Sequence, residues 1–143
     1  MTPKAILIVE DSKIVQRIYG RALAPLVEAG TRLIPAFTGW EALAKVKSHP
    51  EIDLILLDTT LPDMDGCELL NRIKKDGPLK EVRVLIISTE DDETHVRKGY
   101  EAGATAFMPK PFRVEELIGW IRKTNGTAAA SAGPRPLGFH VSG

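Results

Sequence analysis

Cysteine occurs once in the 143 residues, at Cys67. A single thiol excludes an intramolecular disulfide framework and a zinc site built from several cysteines, and it suits a reducing compartment. Net charge is also missing. Nineteen Lys and Arg balance nineteen Asp and Glu, which argues against binding nucleic acid or a membrane surface through bulk charge and leaves only a local patch open. No apolar run reaches the roughly 20 residues needed to cross a bilayer. The opening "MTPKAILIVED" lacks an h-region followed by a small-residue cleavage site. These absences predict a cytoplasmic protein with no membrane and no direct nucleic-acid partner. His49, His95 and His140 are scattered without ligand spacing and read as surface residues.

What is present is enough for one domain with a core: 43% apolar and 27% charged residues. Short apolar runs recur as "AILIV" (5–9), "RLIPA" (32–36), "DLILL" (53–57), "VRVLII" (82–87) and "ATAFM" (104–108). Three are nearly continuous, the pattern of parallel strands buried on both faces. Helical stretches lie between them. From 12 to about 24, Ile14, Val15, Ile18 and Ala22 share a face behind a Ser12 cap, and Pro25 ends or kinks that helix. Thr38 caps a helix at 38–48, and a short helix spans 66–77 with its basic residues late. A helix at 91–103 stops on Gly103, and one at 113–124 puts Val114, Leu117, Ile118 and Ile121 on one face. Trp40 and Trp120 read as packing residues and Cys67 as an ordinary helix-start residue. The order is β-α five times, an α/β fold with a parallel sheet, helices on both faces and right-handed crossovers. Residues 1–124 form the domain. Residues 125–143, rich in Gly, Ala, Ser and Pro, read as a flexible tail or linker, or in part as an expression remnant.

Ligands of such a sheet bind beyond the carboxyl ends of the strands. Glu10 and Asp11 follow the first run, Asp58 the third, Ser88, Thr89 and Glu90 the fourth, and Lys110 the fifth. That edge carries carboxylates, hydroxyls and an ammonium. Packed carboxylates repel and raise one another's pKa. Magnesium relieves this, held by one or two carboxylates plus waters and phosphate oxygens. A carboxylate also serves as a nucleophile that carries an aspartyl phosphate. Lys110 suits a point-charge contact to phosphate and Ser88 a hydroxyl donor. Asp63 and Asp65 read as loop residues, with Gly66 completing the turn.

The pieces "VEDS" (9–12), "GWEAL" (39–43), "DLILLDTTLPDMDG" (53–66), "LIIST" (85–89) and "EAGATAFMPKPF" (101–112), in this order and spacing, resemble the receiver domain of two-component response regulators over residues 4–124. The resemblance implies a chemotaxis-regulator-like, flavodoxin-like (βα)5 fold with strand order 2-1-3-4-5. It implies Asp58 as phosphoacceptor, Asp11 as direct metal ligand, Glu10 as a second or water-mediated ligand, and a Thr60 carbonyl contact to Mg2+. It implies Ser88 as switch hydroxyl, Phe107 as switch aromatic, and Lys110 as the phosphate-contacting lysine before a cis Lys110–Pro111 bond. Thr60 and Glu90 fall where phosphate lifetime is tuned. The implied donor is a histidine kinase or histidine phosphotransfer protein, docking around helix 12–24. The implied output is a downstream protein bound by the face made of the fourth helix (91–103), fifth strand (104–108) and fifth helix (113–124). The chain would undergo self-phosphorylation and autodephosphorylation without being a turnover enzyme.

Other functions fit less well. A haloacid-dehalogenase-type phosphohydrolase needs a second Asp where Thr60 stands, and a cap domain. A flavodoxin- or Rossmann-like cofactor binder needs a Gly-rich loop where "EDSKIV" (10–15) is acidic and glycine-free. A receiver that is never phosphorylated and acts by contact alone stays open. So does a module of a larger regulator or hybrid kinase, beside the favoured single-domain regulator.

Overall fold

The computed structural model describes residues 2–76 and 81–124, apart from the Asp76 side chain; the tail expected at 125–143 lies outside them. Five strands, β1 (Ala5–Val9), β2 (Arg32–Ala36), β3 (Ile52–Leu57), β4 (Arg83–Ser88) and β5 (Ala106–Pro109), form one sheet of order β2-β1-β3-β4-β5. Every pairing is parallel. The order matches the expected flavodoxin-like arrangement. Among the described residues, six helices connect or follow the strands: α1 (Lys13–Ala22), α2 (Ala24–Glu28), α3 (Gly39–Ser48), α4 (Gly66–Asp76), α5 (Glu93–Glu101) and α6 (Val114–Thr124). No helix among the described residues is long and apolar enough to cross a membrane.

The two-residue period of a strand sorts the apolar runs into two layers. Leu7, Val9, Ile55, Leu57, Val84, Ile86 and Phe107 pack with Ala42, Val46, Leu69, Leu70, Ile73 and Val96 of α3, α4 and α5. Their neighbours Ile6, Ile8, Leu54, Leu56, Leu85, Ile87 and Met108 pack with Tyr19, Leu23, Leu26, Leu117, Trp120 and Ile121 on the α1, α2 and α6 side. Both faces of β1, β3 and β4 are therefore filled, which explains why those runs do not alternate. The edge strand β2 does alternate toward its end, with Pro35 exposed between buried Ile34 and Ala36.

The caps follow expectation. Ser12 Oγ accepts the Val15 N–H and Thr38 Oγ1 accepts the Glu41 N–H. Gly103 takes φ +113° just beyond α5, a conformation that glycine adopts without a Cβ penalty.

Three helix expectations are corrected. The helix expected over 12–24 breaks at Leu23, and Pro25 sits in the first turn of α2, where its missing N–H costs nothing. The face of α1 turned to the core is not Ile14–Val15–Ile18–Ala22. Tyr19 and the following Leu23 are buried and Val15 is half-buried, whereas Ile14 and Ile18 are 69% and 53% exposed. On α6, Leu117, Trp120 and Ile121 are buried and Val114 is exposed, because the ring of Trp120 fills the core. Trp120 thus packs as expected. Trp40 does not: it is exposed, with the Arg72 guanidinium 5.1 Å from its ring centroid.

Candidate functional site

Where β1 and β3 run side by side, Val9 pairs with Leu57. The next residues, Glu10 and Asp58, therefore emerge together at the carboxyl edge of the sheet. Their backbones are tied in: Glu10 N–H donates to Ala36 O at 2.9 Å and Asp58 N–H to Val9 O at 3.1 Å. Gln16 Nε2 reaches the carbonyls of Ile8, Glu10 and Ala36 at 2.9, 3.1 and 3.2 Å. One amide from α1 thus ties off the ends of β1 and β2, a role the sequence reading did not assign.

Glu10, Asp11 and Asp58 each bring one carboxylate oxygen within 4.8 Å of the others. Glu10 is buried and Asp11 exposed, with Asp58 between them. Burial pushes the Glu10 carboxyl up to about 7, and the neighbouring Asp58 and Asp11 add to the rise, against the Ser12 N–H that donates to its Oε2 at 3.0 Å. Burial also raises the Tyr19 phenol, with help from the Glu10 and Asp58 charges. Lys110, across the sheet, brings its Nζ to 3.4 Å from Glu10 Oε1 and 3.7 Å from Asp58 Oδ2. Its N–H donates to Ser88 O at 2.9 Å, and the Lys110–Pro111 peptide is cis, as expected. Three converging oxygens with an excess of negative charge are a donor set for a hard divalent cation such as magnesium.

The other expected residues lie on β4, β5 and the loops that follow β3 and β4. Thr60 lies exposed at the rim, where its N–H donates to Asp58 Oδ1 at 3.1 Å. Ser88, the last residue of β4, is buried, and its hydroxyl shares a 3.0 Å hydrogen bond with Thr59 Oγ1. Glu90 is exposed, and its carboxylate lies 3.3 Å from His95 Nε2. Phe107 is buried in the core layer beside α5.

Two contributors escaped the sequence reading besides Gln16. Asp63 is more than a turn residue: its carboxylate oxygens accept the N–H groups of Gly39 and Trp40 at 2.8 and 2.9 Å. It binds the loop after Asp58 to the start of α3, and these N–H groups hold its carboxyl below the usual carboxylate range. Thr59 is the second. The β3–β4 register, with Leu57 beside Ile86, carries Thr59 to Ser88 two residues on. That register was the one signal that could have found it.

A model of the response regulator receiver domain matches residues 6–122. The chain belongs to the response-regulator receiver domain family. This receiver is 33% identical over 118 residues to Protein PilG of Pseudomonas aeruginosa, covering 82% of this chain and 84% of PilG. A CheY-like receiver domain protein from Methanospirillum hungatei superposes with a TM-score of 0.75 at 28% identity, covering 85% of this chain and 93% of that one. A chain of the CheX-CheY-BeF3-magnesium complex from Borrelia burgdorferi also gives 0.75, at 31% identity and 85% and 89% coverage.

Proposed function

We propose that this receiver is a phosphorylation switch whose acceptor is Asp58. The observation that carries the reading is the convergence of Asp58 with Glu10, Asp11 and Lys110 on one edge of the sheet. An Asp58 carboxylate oxygen attacks the phosphorus of a phosphohistidine; the O–P bond forms, the P–N bond breaks, and the imidazole nitrogen leaves with its electron pair and takes up a proton. The donor is a histidine kinase or a histidine phosphotransfer protein. Magnesium held by Glu10, Asp11 and Asp58, with the Thr60 carbonyl, would supply neutralising charge to the phosphoryl oxygens. The Lys110 ammonium pairs with a second phosphoryl oxygen and Ser88 donates its hydroxyl to a third.

The output follows from two side chains that answer the phosphoryl group. Ser88 moves toward it, and Phe107, already buried beside α5, repacks into the vacated space. The equilibrium of the surface made by α5, β5 and α6 shifts with them and alters the hold on a protein partner. Taking such an equilibrium from 1:99 to 99:1 requires about 5.5 kcal/mol of differential stabilisation, within reach of two or three charge-assisted contacts. The exposed Ile14 and Ile18 of α1 offer an apolar patch for the donor. The protein acts in the cytoplasm as an acceptor with its own self-phosphorylation and autodephosphorylation chemistry rather than as a turnover enzyme.

The test is intact mass after incubation with a small acyl phosphate and magnesium, with Asp58→Asn alongside. One phosphate adduct is expected, absent without magnesium and absent in the variant. No adduct with magnesium still bound would favour a receiver that works by contact alone. Neither adduct nor magnesium binding would break up Glu10, Asp11 and Asp58 as a single site.

A further inference from the structure

Ser88 is described above as a donor to the phosphoryl group, yet in this structure its hydroxyl is already engaged. Ser88 Oγ and Thr59 Oγ1 lie 3.0 Å apart, and the Glu90 N–H donates to Ser88 Oγ at 3.0 Å. The serine is 2% exposed, so water does not offer a ready substitute for either partner. A hydroxyl carries one proton. Where Ser88 donates to Thr59, its one proton must leave that bond to serve a group on Asp58; where Thr59 donates, the bond lengthens as Ser88 moves away.

The backbone of Thr59 cannot follow. Its carbonyl accepts the Gly66 N–H at 3.1 Å, and Thr60 and Asp65 pair across the base of the same loop. Gly66 packs against it so closely that a Cβ there would stand 2.6 Å from Thr59 Cα. The preceding residue is fixed by the bond from Asp58 N–H to Val9 O at 3.1 Å. The backbone that carries the Thr59 hydroxyl is therefore fixed beside a mobile Ser88 hydroxyl.

We propose that Thr59 is a positioning residue: its hydroxyl holds Ser88 in the unphosphorylated position and so sets how readily the switch responds. The inference rests on the reading of Asp58 as acceptor and Ser88 as switch hydroxyl. The Thr59–Ser88 bond stabilises only the unphosphorylated arrangement, so its loss shifts the equilibrium toward the responding one. The shift expected from one neutral hydrogen bond is about two- to tenfold.

Thr59→Val keeps the branched shape and removes the hydroxyl, while Thr59→Ser keeps the hydroxyl. The probe is beryllofluoride with magnesium, titrated while the amide signals of Ser88 and Glu90 are followed by NMR. Thr59→Val should bind about two- to tenfold more tightly than the unaltered chain, and Thr59→Ser should match the unaltered chain. In a Ser88→Ala background, Thr59→Val should change nothing, an outcome that a purely structural role for the threonine does not produce. Unchanged or weaker binding by Thr59→Val, or an effect that persists without Ser88, overturns the proposal while leaving Asp58 as acceptor. If the unaltered chain itself does not bind beryllofluoride, the acceptor reading fails and takes this inference with it.

Discussion

The Lys110 ammonium lies slightly nearer to Glu10 than to Asp58, 3.4 Å against 3.7 Å. Lysine thus neutralises the same carboxylates that would hold a metal ion. Two effects follow with opposite signs. Lys110→Ala removes a cation from beside the metal site, so magnesium should bind several-fold more tightly. On the proposed reading it also removes the charge that pairs with the phosphoryl group, so labelling of Asp58 by an acyl phosphate should fall tenfold or more. A magnesium titration and a labelling time course on one variant check both. A loss of magnesium affinity would show that Lys110 holds the carboxylates in place rather than competing for them.

Glu10 makes the metal-free protein sensitive to pH. Its folded pKa is raised from an ordinary 4.5 to about 7, so between those values the folded state binds more protons than the unfolded one. Stability then decreases as pH rises through that window. The contribution is present below about 4.5, lost by about 7, and on the order of 3 kcal/mol at most. Urea unfolding in chelator from pH 4.5 to 7.5 should show this decline, and Glu10→Gln should flatten it. Magnesium held by the ionised carboxylates, as proposed, should reverse the slope near neutral pH.

The strands, their order and the carboxylate edge were legible because they rest on local signals: apolar runs, and the residue that ends each run. Glu10, Asp11, Asp58 and Lys110 were visible at their strand ends and do meet. The faces of α1 and α6 were misread because periodicity gives an arc and not its centre. On α1 the long side chain of Tyr19 takes the core position and leaves Ile14 and Ile18 outside. Gln16, Thr59 and Asp63 were not legible as contributors, since each acts on a partner set by tertiary register. Asp63 caps a helix that begins 24 residues earlier in the chain, and no local pattern marks that.

Gly66 is fixed by contact rather than by its dihedral angles. A methyl group there meets backbone, at 2.6 Å from Thr59 Cα and 3.1 Å from Asp58 O, and backbone cannot swing aside as a side chain can. Gly66→Ala should cost about 1–3 kcal/mol in urea unfolding. Because the displaced segment carries Asp58, acyl phosphate labelling should slow even where the variant remains fully folded. Normal labelling in a destabilised protein would separate the loop's packing from the position of the acceptor.

Ile14 and Ile18 separate docking from folding. Both are more than half exposed, so Ile14→Glu and Ile18→Glu should each leave stability within about 0.5 kcal/mol. Self-labelling with an acyl phosphate should also be unchanged, because neither side chain belongs to the carboxylate site. Transfer from a phosphorylated histidine phosphotransfer protein that labels the unaltered chain should slow tenfold or more, since a charge on the apolar patch must be desolvated on docking. Val15, half-buried on the same helix, is the control: Val15→Glu should lower stability as well as transfer. If both isoleucine variants receive the phosphoryl group at the normal rate, the donor docks elsewhere and the exposed face of α1 has no part in it.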